Sequence, residues 1–311
     1  MELIESTKIS KLCDYSFGDQ AGIIHNLENS FMKSANIDNK EFIDLYYKFI
    51  NENKSIMTLF IDNIRLYNRP IKSLKKEDAP WVNGLMKTND LLKLCSVLNE
   101  INFIIFTGHE DTPIDEFIFE KIPNNVISIF AVNAEFFNEK VIPFPYGLQR
   151  KLSTNDYRLN IMNQSLTEIV IPKKLLYVNH NINTNINERS NINELFLKKN
   201  WATVDTSRID YPFFLNKIKE HKFMICPIGN AIDCHRNWEV LYSKRVPVMK
   251  KNKFLEKLFE GFPVLFVNSF SEVTEELLID NNHLFETIKF FDFSKLDLNI
   301  IFKNIIEKYS L

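Results

Sequence analysis

The segment of residues 226–239, CPIGNAIDCHRNWE, contains the residues of this sequence best suited to bind a phosphate. It follows an apolar run, turns through Pro227 and Gly229, and continues as a segment whose apolar spacing predicts a helix. The N-terminus of a helix carries unpaired N–H groups and a partial positive charge, which favour a phosphate. Arg236 lies in the predicted first turn and can donate two parallel hydrogen bonds to a diphosphate.

Other polar residues of this segment extend the prediction. Asp233 is placed to cap the helix, because a carboxylate can accept from the free N–H groups of a first turn. His235 could donate to a phosphate or could merely cap the helix. Glu239 shares a helix face with Arg236, and its carboxylate suits the two hydroxyls of a ribose. The plainer alternative is a solvated Arg236–Glu239 ion pair, but the preceding strand and turn favour a phosphate–ribose site.

A second polar loop, residues 107–113 (TGHEDTP), follows an apolar run in the first half of the sequence. A carboxylate or histidine within hydrogen-bond reach of a hydroxyl can take its proton as a general base. We expect Asp111 to be this base, followed in preference by Glu110 and His109. A solvated turn is the alternative for each of the three.

The elements that must position these residues follow from the alternation of short apolar runs with helix-period segments, which is typical of parallel α/β structure. Residues 141–147 are predicted to form a turn because they contain two prolines and a glycine, and the polar residues 149–173 are predicted to connect two domains. Strands are predicted at residues 56–61, 103–107, 126–132, 175–178, 202–204, 222–226, 246–249 and 264–267. Helices are predicted at residues 90–99, 188–199, 211–221 and 296–308, from about residues 235 and 271, and in the lysine-rich segment between the last two strands.

The domain organisation predicted from this pattern is α/β with two Rossmann-like domains, at residues 1–155 and 156–290. A length of 311 residues is sufficient for two such domains. Residues 291–311 are expected to form a C-terminal helix that could pack back on the N-terminal domain. In open parallel sheets the ligand crevice lies at the carboxyl ends of the strands, so the predicted site should lie there.

Composition excludes several classes of protein. The net charge of -2 and the pI of about 6.3 disfavour a nucleic-acid partner. The four cysteines form no CxxC pair, so we expect neither a disulfide framework nor a bound metal. There is no signal-peptide pattern and no apolar run of roughly 18–20 residues, so a cytoplasmic protein without a transmembrane segment is expected. With 7 glycines and no GxGxxG after a strand, a nicotinamide-dependent dehydrogenase is disfavoured, as is a hydrolase that needs a GxSxG elbow.

Residues 226–249, CPIGNAIDCHRNWEVLYSKRVPVM, resemble the signature of the exostosin-like glycosyltransferases, a P-x-G-x-x-x-D-x-x-R-x-W/F-E core before an apolar stretch and "PV". Residues 130–148 look like the "QN … PIPLG" region of that family, and residues 175–189 look like its "N … ER" segment. The resemblance extends over about residues 100–280. Ile228 stands where many members have arginine, and Lys244-Arg245 replaces a small Gly-Cys pair.

The resemblance implies a GT-B-like fold, with the two Rossmann-like domains facing across a cleft, in a small soluble bacterial or viral relative. It also implies inverting, metal-independent transfer of a sugar from a nucleotide donor, with UDP favoured, to a glycan acceptor, as in the synthesis of surface or capsid glycans. No cofactor is expected beyond the nucleotide sugar, which is a substrate. The alternative is a non-catalytic nucleotide-sugar or glycan-binding protein on the same fold.

The resemblance also assigns further residues to the donor site. Arg189 is expected to contact the diphosphate, with an ordinary surface arginine as the alternative. Asn179 belongs to the same matching segment. Gly229 and Asn230, in the turn before the helix, are expected to lie against the donor.

Overall fold

The computed structural model describes residues 1–16, 39–62, 88–108, 113–149 and 157–309. Contacts between residues divide the chain into two compact units. The N-terminal unit comprises Ser6–Pro145 and Phe302–Leu311, and the C-terminal unit comprises Tyr146–Ile301 and Met1–Glu5. This division falls after Pro145, whereas the sequence analysis placed the domain boundary after residue 155. The domain limits derived from the sequence stay a prediction.

The described part of the N-terminal unit contains one parallel sheet whose five strands lie side by side in chain order. Its core includes Phe60, Phe103 and Phe106, all fully buried, because parallel strands covered on both faces are apolar along their length. The strands are β1 (Tyr15–Ser16), β2 (Ile56–Asp62), β3 (Asn102–Gly108), β4 (Val126–Ala131) and β5 (Val141–Pro143), and the helices are α1 (Asn39–Asn51), α2 (Thr88–Val97) and α3 (Glu116–Phe119).

The turn predicted at residues 141–147 is wrong over its first three residues, which form β5. This strand is at the edge of the sheet, where it pairs with β4 alone. Pro143 lacks an N–H group, and proline is tolerated at a sheet edge because no further strand needs that donor. Pro143 is therefore part of the strand, as its last residue.

The C-terminal unit contains a second parallel sheet, with its strands in the order β10-β9-β8-β6-β7. The direction of winding reverses between β6 and β8, which are neighbours in the sheet although β7 lies between them in the chain. The strands are β6 (Lys174–Val178), β7 (Ala202–Val204), β8 (His221–Ile225), β9 (Val246–Lys250) and β10 (Leu265–Val267). The helices are α4 (Tyr157–Ser165), α5 (Ile186–Arg189), α6 (Ile192–Phe196), α7 (Tyr211–Glu220), α8 (His235–Tyr242), α9 (Lys253–Leu258), α10 (Glu275–Asp280) and α11 (Asn282–Thr287).

Two helical predictions for this unit are wrong. The single helix expected at residues 188–199 is two short helices, α5 and α6, in an asparagine-rich segment. The Asn185 side chain caps α5 by accepting from the Glu188 N–H at 3.3 Å, so the first helix begins at Ile186, and a turn at residues 190–191 separates it from α6. The connection expected at residues 149–173 includes helix α4, which packs against α7.

The last helix, α12 (Leu298–Tyr309), begins in the C-terminal unit, and its residues from Phe302 onward belong to the N-terminal unit. Within the N-terminal unit, the ring centroids of Phe302 and Phe106 are 5.2 Å apart, and the Tyr309 hydroxyl donates to Ser128 Oγ at 3.0 Å. Within the described ranges, every helix is too short or too polar to span a bilayer. The two parallel five-stranded sheets with their helices confirm the predicted α/β class with two Rossmann-like units.

Candidate functional site

The C-terminal unit has a pocket of about 690 Å³ beyond the carboxyl ends of β6 and β7. Its walls are residues 179–183 after β6, residues 206–209 after β7, the first turn of α7, and the Arg236 and Glu239 side chains of α8. Arg158 of α4 and Gln149 complete the described lining. In sheets of this kind a ligand crevice lies where the strand order reverses, and the reversal between β6 and β8 coincides with this pocket.

Helix α8 is held by Asp233, the residue before its N-cap. The N-cap is Cys234, which makes no side-chain capping bond, so the prediction that Asp233 caps the helix is wrong. The Asp233 carboxylate is fully buried and accepts from Trp238 Nε1 at 2.7 Å, from Asn237 Nδ2 at 2.9 Å and from the Tyr146 N–H at 2.9 Å. Burial raises the pKa of Asp233 to about 6, although these donors favour its ionised form. Asp233 therefore anchors α8 and does not face the pocket.

The opposite side of α8 faces the core of the unit. Trp238 is buried, and its ring centroid lies 4.9 Å from that of Phe259 and 6.2 Å from that of Phe262. Trp238 therefore fixes the helix to the body of the unit, on the side away from Arg236 and Glu239. Aromatic pairs at such separations add to the stabilisation that comes from burial alone.

The C-terminus of α8 is closed by a Schellman motif. The Lys244 N–H donates to the Leu241 carbonyl at 2.9 Å, and the Arg245 N–H donates to the Val240 carbonyl at 3.0 Å. The motif requires a left-handed residue at Lys244, which has φ 57°. Glycine is usual at this position, and the exostosin-like signature has a Gly-Cys pair where this sequence has Lys244-Arg245. Lys244 is therefore a residue with a side chain in a strained conformation.

Arg236 and Glu239 both line the pocket, which confirms that they share a helix face. The guanidinium carbon of Arg236 lies over the Phe214 ring at 5.6 Å, and within the described chain its buried Nε has no hydrogen-bond partner. Glu239 is 4% exposed, so the alternative of a solvated ion pair is wrong. Burial raises the pKa of Glu239, while the charges of Arg236 and Arg158 and a hydrogen bond from Tyr211 oppose that rise.

Arg189 is not among the described residues that line the pocket, and its guanidinium connects the loops that follow β6 and β8. It is 4% exposed, so the surface-arginine alternative is wrong. Its Nε donates to the Ile228 carbonyl at 2.9 Å, Nη1 to Asn181 at 3.1 Å and Nη2 to Pro227 at 3.0 Å, with Cys234 Sγ 3.8 Å from Nη2. Four of the five N–H donors of a guanidinium are thus directed at protein acceptors. Contact between Arg189 and a ligand stays a prediction.

The turn residues of the predicted site take different positions. Gly229 is packed against Arg189, and a Cβ built there would lie 3.0 Å from Arg189 Nη2 and 3.1 Å from Cys234 Sγ. A side chain at this position would therefore require Arg189 and Cys234 to move by a few tenths of an ångström. Asn230 is exposed and is not among the described residues that line the pocket. A donor contact by either turn residue stays a prediction.

His235 also lies outside the described lining of the pocket. Its Nδ1 is 2.7 Å from the Gly147 carbonyl oxygen, and its ring centroid is 4.6 Å from that of Tyr146. Gly147 itself has φ 73°, and a Cβ there would lie 2.4 Å from the Ile4 carbonyl oxygen, so this position requires glycine. His235 therefore connects α8 to the segment at Tyr146 and Gly147, and its contact with a phosphate stays a prediction.

Asn179 and His180 follow β6 and both line the pocket. Asn179 Nδ2 donates to the carbonyls of Asp205 at 2.8 Å and Ser207 at 3.1 Å, which joins the loops after β6 and β7. His180 is 5% exposed, with Nε2 3.3 Å from the Arg189 carbonyl oxygen and a buried Nδ1 that has no partner in the described chain. Burial lowers the pKa of His180 to about 4, so the ring is neutral at pH 7.

The candidate base residues His109, Glu110 and Asp111 lie outside the described residues. The strand expected to precede them is present as β3, which ends at Gly108. Their role as a base stays a prediction. Among the residues that the structure does describe, no three His, Cys, Asp or Glu side chains are grouped so as to hold a metal ion.

Arg158 and Tyr211, which line the pocket and contact Glu239, were not predicted from the sequence. Arg158 is on α4, whose apolar residues form no regular stripe, so no periodic signal marks this helix. Tyr211 follows Asp210 and precedes a proline in the first turn of α7, which is a recognisable helix start directly after a β7 loop. That start could have indicated Tyr211 as a residue at the carboxyl edge of the sheet.

Comparisons with known proteins do not assign a family. No family model matches this sequence, and no curated protein matches it. Among solved structures, the chain is similar to one described as the crystal structure of an α1,3-fucosyltransferase, with 14% sequence identity, over 87% of this chain and 86% of that chain, at a TM-score of 0.37. At this identity and TM-score, the match identifies neither the family nor the activity of this chain.

Proposed function

We propose that this chain is a glycosyltransferase that binds a nucleotide-sugar donor in the pocket of the C-terminal unit. The observation that supports this most directly is that Arg236 and Glu239, a cation and a carboxylate on one helix face, both border a pocket of about 690 Å³ at the reversal of strand order. Small-molecule sites commonly occupy roughly 300–1,000 Å³, so the volume suits a ligand of nucleotide size.

Each of these side chains has a role in the proposal. Arg236 binds the diphosphate and stabilises the negative charge that develops on it when the glycosidic bond breaks. Glu239 accepts hydrogen bonds from the ribose hydroxyls. His180, which is neutral at pH 7 and lines the same pocket, adds an uncharged polar group to a site that must discriminate among hydroxyls and phosphates.

The finer assignments rest on the sequence resemblance described above. They are an exostosin-like enzyme with the GT-B-like arrangement of its two units, a UDP-linked donor, a glycan acceptor and inversion at the anomeric carbon without a metal ion. We propose Asp111 as the base that takes the acceptor proton, ahead of Glu110 and His109. A positioned base contributes typically 10²–10⁴-fold, so Asp111→Asn should lower the transfer rate by that order while UDP affinity stays nearly constant, as measured by transfer kinetics and calorimetry.

The binding test compares UDP, GDP and NAD by thermal shift and calorimetry, followed by release of free nucleotide from nucleotide sugars with and without glycans. We expect a stabilisation by UDP well above that by NAD, because a ligand that binds only the folded state raises its melting temperature. NAD binding without nucleotide-diphosphate binding would contradict the proposal. Binding of UDP without turnover of any donor would favour the non-catalytic alternative.

Two substitutions test the site itself. Arg236→Lys keeps the charge but loses the planar pair of donors, and Glu239→Gln loses the charged acceptor, so both should weaken UDP by about tenfold or more. Glu260→Gln is the matched control, because Glu260 is exposed and pairs with Lys257 on the surface at 2.7 Å. If both pocket variants bind UDP and turn over the donor as the wild type does, α8 is not the donor site.

A further inference from the structure

Two aromatic rings in the first turn of α7 each lie beneath the guanidinium group of an arginine. Tyr211 and Phe214 are one turn apart, with ring centroids 6.3 Å apart. The guanidinium carbon of Arg158 lies over the Tyr211 ring at 4.8 Å, and that of Arg236 lies over the Phe214 ring at 5.6 Å. A guanidinium stacked on a ring keeps its in-plane N–H donors available to other partners. The first turn of α7 therefore supports two guanidinium groups beside one pocket.

Arg158 has no strong attachment to the protein beyond this ring. Its Nη1 lies 3.9 Å from Glu239 Oε1, which is an ion pair but is too long for a hydrogen bond. No hydrogen bond joins Arg158 to another described residue, and its side chain is 23% exposed. This contrasts with Arg189, whose donors are taken by backbone carbonyls. The donors of Arg158 are thus available to a ligand in the pocket.

The charge of the lining indicates what that ligand is. Among the described residues that line the pocket, three are arginines, Arg158, Arg208 and Arg236, and one is a carboxylate, Glu239. With three positive charges and one negative charge, the lining carries an excess of two positive charges. A diphosphate ester has two or more negative charges near neutral pH, and arginine is the side chain best matched to its oxygens.

We propose that Arg158 is a second diphosphate-binding residue, paired with Arg236 through the two rings of α7, and that the pocket is specific for nucleoside diphosphates over nucleosides. This deepens the proposed function and rests on it for the identity of the nucleotide. The charges of both arginines act on Glu239, which also forms an ion pair with Arg158 and accepts a hydrogen bond from Tyr211. The two cations hold the diphosphate while Glu239 remains free to accept from the ribose.

A purely structural role for Arg158 is the competing explanation, because Glu239 is buried and an arginine nearby would neutralise it. A double-mutant cycle separates the two roles. UDP, pyrophosphate and uridine are titrated by calorimetry into the full chain and into Arg158→Gln, Glu239→Gln and the double variant. We expect Arg158→Gln to weaken UDP and pyrophosphate about tenfold to a hundredfold in both backgrounds and to leave uridine unchanged. If the loss disappears in the Glu239→Gln background, Arg158 only neutralises Glu239 and the proposal is wrong.

Substitution of the supporting ring gives an independent test. Tyr211→Phe keeps the ring and loses the hydroxyl, whereas Tyr211→Leu removes the ring that carries Arg158. We expect UDP to bind at least fivefold more weakly to Tyr211→Leu than to Tyr211→Phe, in variants whose melting temperatures show that they are folded. Equal affinities would contradict the role of the ring, and Arg158→Lys, which keeps the charge without the planar group, should behave like Tyr211→Leu.

The outcomes for the wild type distinguish failure of this inference from failure of the proposed function. If the wild type binds pyrophosphate but no nucleoside diphosphate, the nucleotide-sugar function and the nucleotide specificity of the pocket are wrong, and the role of Arg158 then depends on whether Arg158→Gln weakens pyrophosphate. If it binds UDP and Arg158→Gln binds UDP equally well, the function stands and the role of Arg158 is wrong. If it binds neither ligand, both are wrong.

Discussion

Replacing Arg189 by lysine tests whether its hydrogen bonds to the protein hold these loops together. The guanidinium of Arg189 joins the carbonyls of Asn181, Pro227 and Ile228, which belong to the loops after β6 and β8. A lysine keeps the positive charge, but its ammonium group is a single point and cannot span three carbonyls that Arg189 reaches with three different nitrogens. We expect Arg189→Lys to leave at least two buried hydrogen bonds unmade.

The size of the effect follows from these contacts. A hydrogen bond that involves a charged group contributes about 1.5–3 kcal/mol, so the loss of two should lower the free energy of unfolding by about 3 kcal/mol or more. For a unit of roughly 150 residues, each kcal/mol changes the melting temperature by about 2–4 °C. Arg189→Lys should therefore melt about 6–12 °C below the wild type. UDP affinity should fall as well, because the Asn181 loop lines the pocket.

Thermal unfolding of the full chain, followed by circular dichroism and calorimetry, measures the effect. Arg208→Lys is the matched control, since Arg208 lines the same pocket but is exposed, and such a surface substitution should change stability by no more than about 0.5 kcal/mol. An Arg189→Lys variant that melts like the wild type and yet loses UDP affinity tenfold would refute this reasoning. Arg189 would then be the direct diphosphate contact that the sequence resemblance implies.

Two further predictions concern stability. Lys244→Gly should raise the free energy of unfolding, measured in urea, by about 0.5–1 kcal/mol. A residue with a side chain in the left-handed conformation costs roughly 1–2 kcal/mol, and glycine removes this cost but loses more conformational entropy on folding. Lys244→Ala should give no gain, because alanine keeps a Cβ. Lowering the pH from 7 to 5 should destabilise the chain by up to about 3 kcal/mol, since the raised pKa of the buried Glu239 reduces the loss. Burial lowers the pKa of His180 and of His221 to about 4, compared with about 6.5 in the unfolded chain. The two histidines therefore favour the folded state at pH values above about 6.5, and each loses about 2 kcal/mol of this stabilisation as the pH falls to 5. Asp233, whose pKa is raised to about 6, acts in the opposite direction by about 1 kcal/mol. A free energy of unfolding at pH 5 that equals or exceeds the value at pH 7 would contradict this prediction.

Most strands of both units could be predicted because parallel strands covered on both faces are largely apolar. Residues 103–106 of β3 are an example, since all are fully buried. Elements without such a pattern could not be predicted. Strand β1 has two half-buried residues, β5 contains a proline, and α4 has no apolar stripe. In each case tertiary neighbours, and not local sequence, decide the structure.

The residues of the candidate site also differ in whether local sequence predicts their roles. The spacing of Arg236 and Glu239 on one helix face is a local property, and in the structure both side chains line one pocket. The partners of Asp233 and Arg189 are distant in the chain, such as the Tyr146 N–H, which is 87 residues from Asp233. A carboxylate before a helix looks like a cap until its remote donors are known, so the sequence could not distinguish a cap from an anchor.

The membership of residues 1–5 in the C-terminal unit has a consequence for how the protein folds during synthesis. The Ile4 N–H donates to the Tyr242 hydroxyl, 238 residues later in the chain, and that hydroxyl donates to the Leu296 carbonyl. Contacts of such high sequence separation carry a large loop-closure entropy and slow the search for the native state. A growing chain cannot complete this pair of hydrogen bonds until Leu296 has been synthesised, so Leu3 and Ile4, both fully buried in the folded unit, reach their complete set of native contacts only late in synthesis.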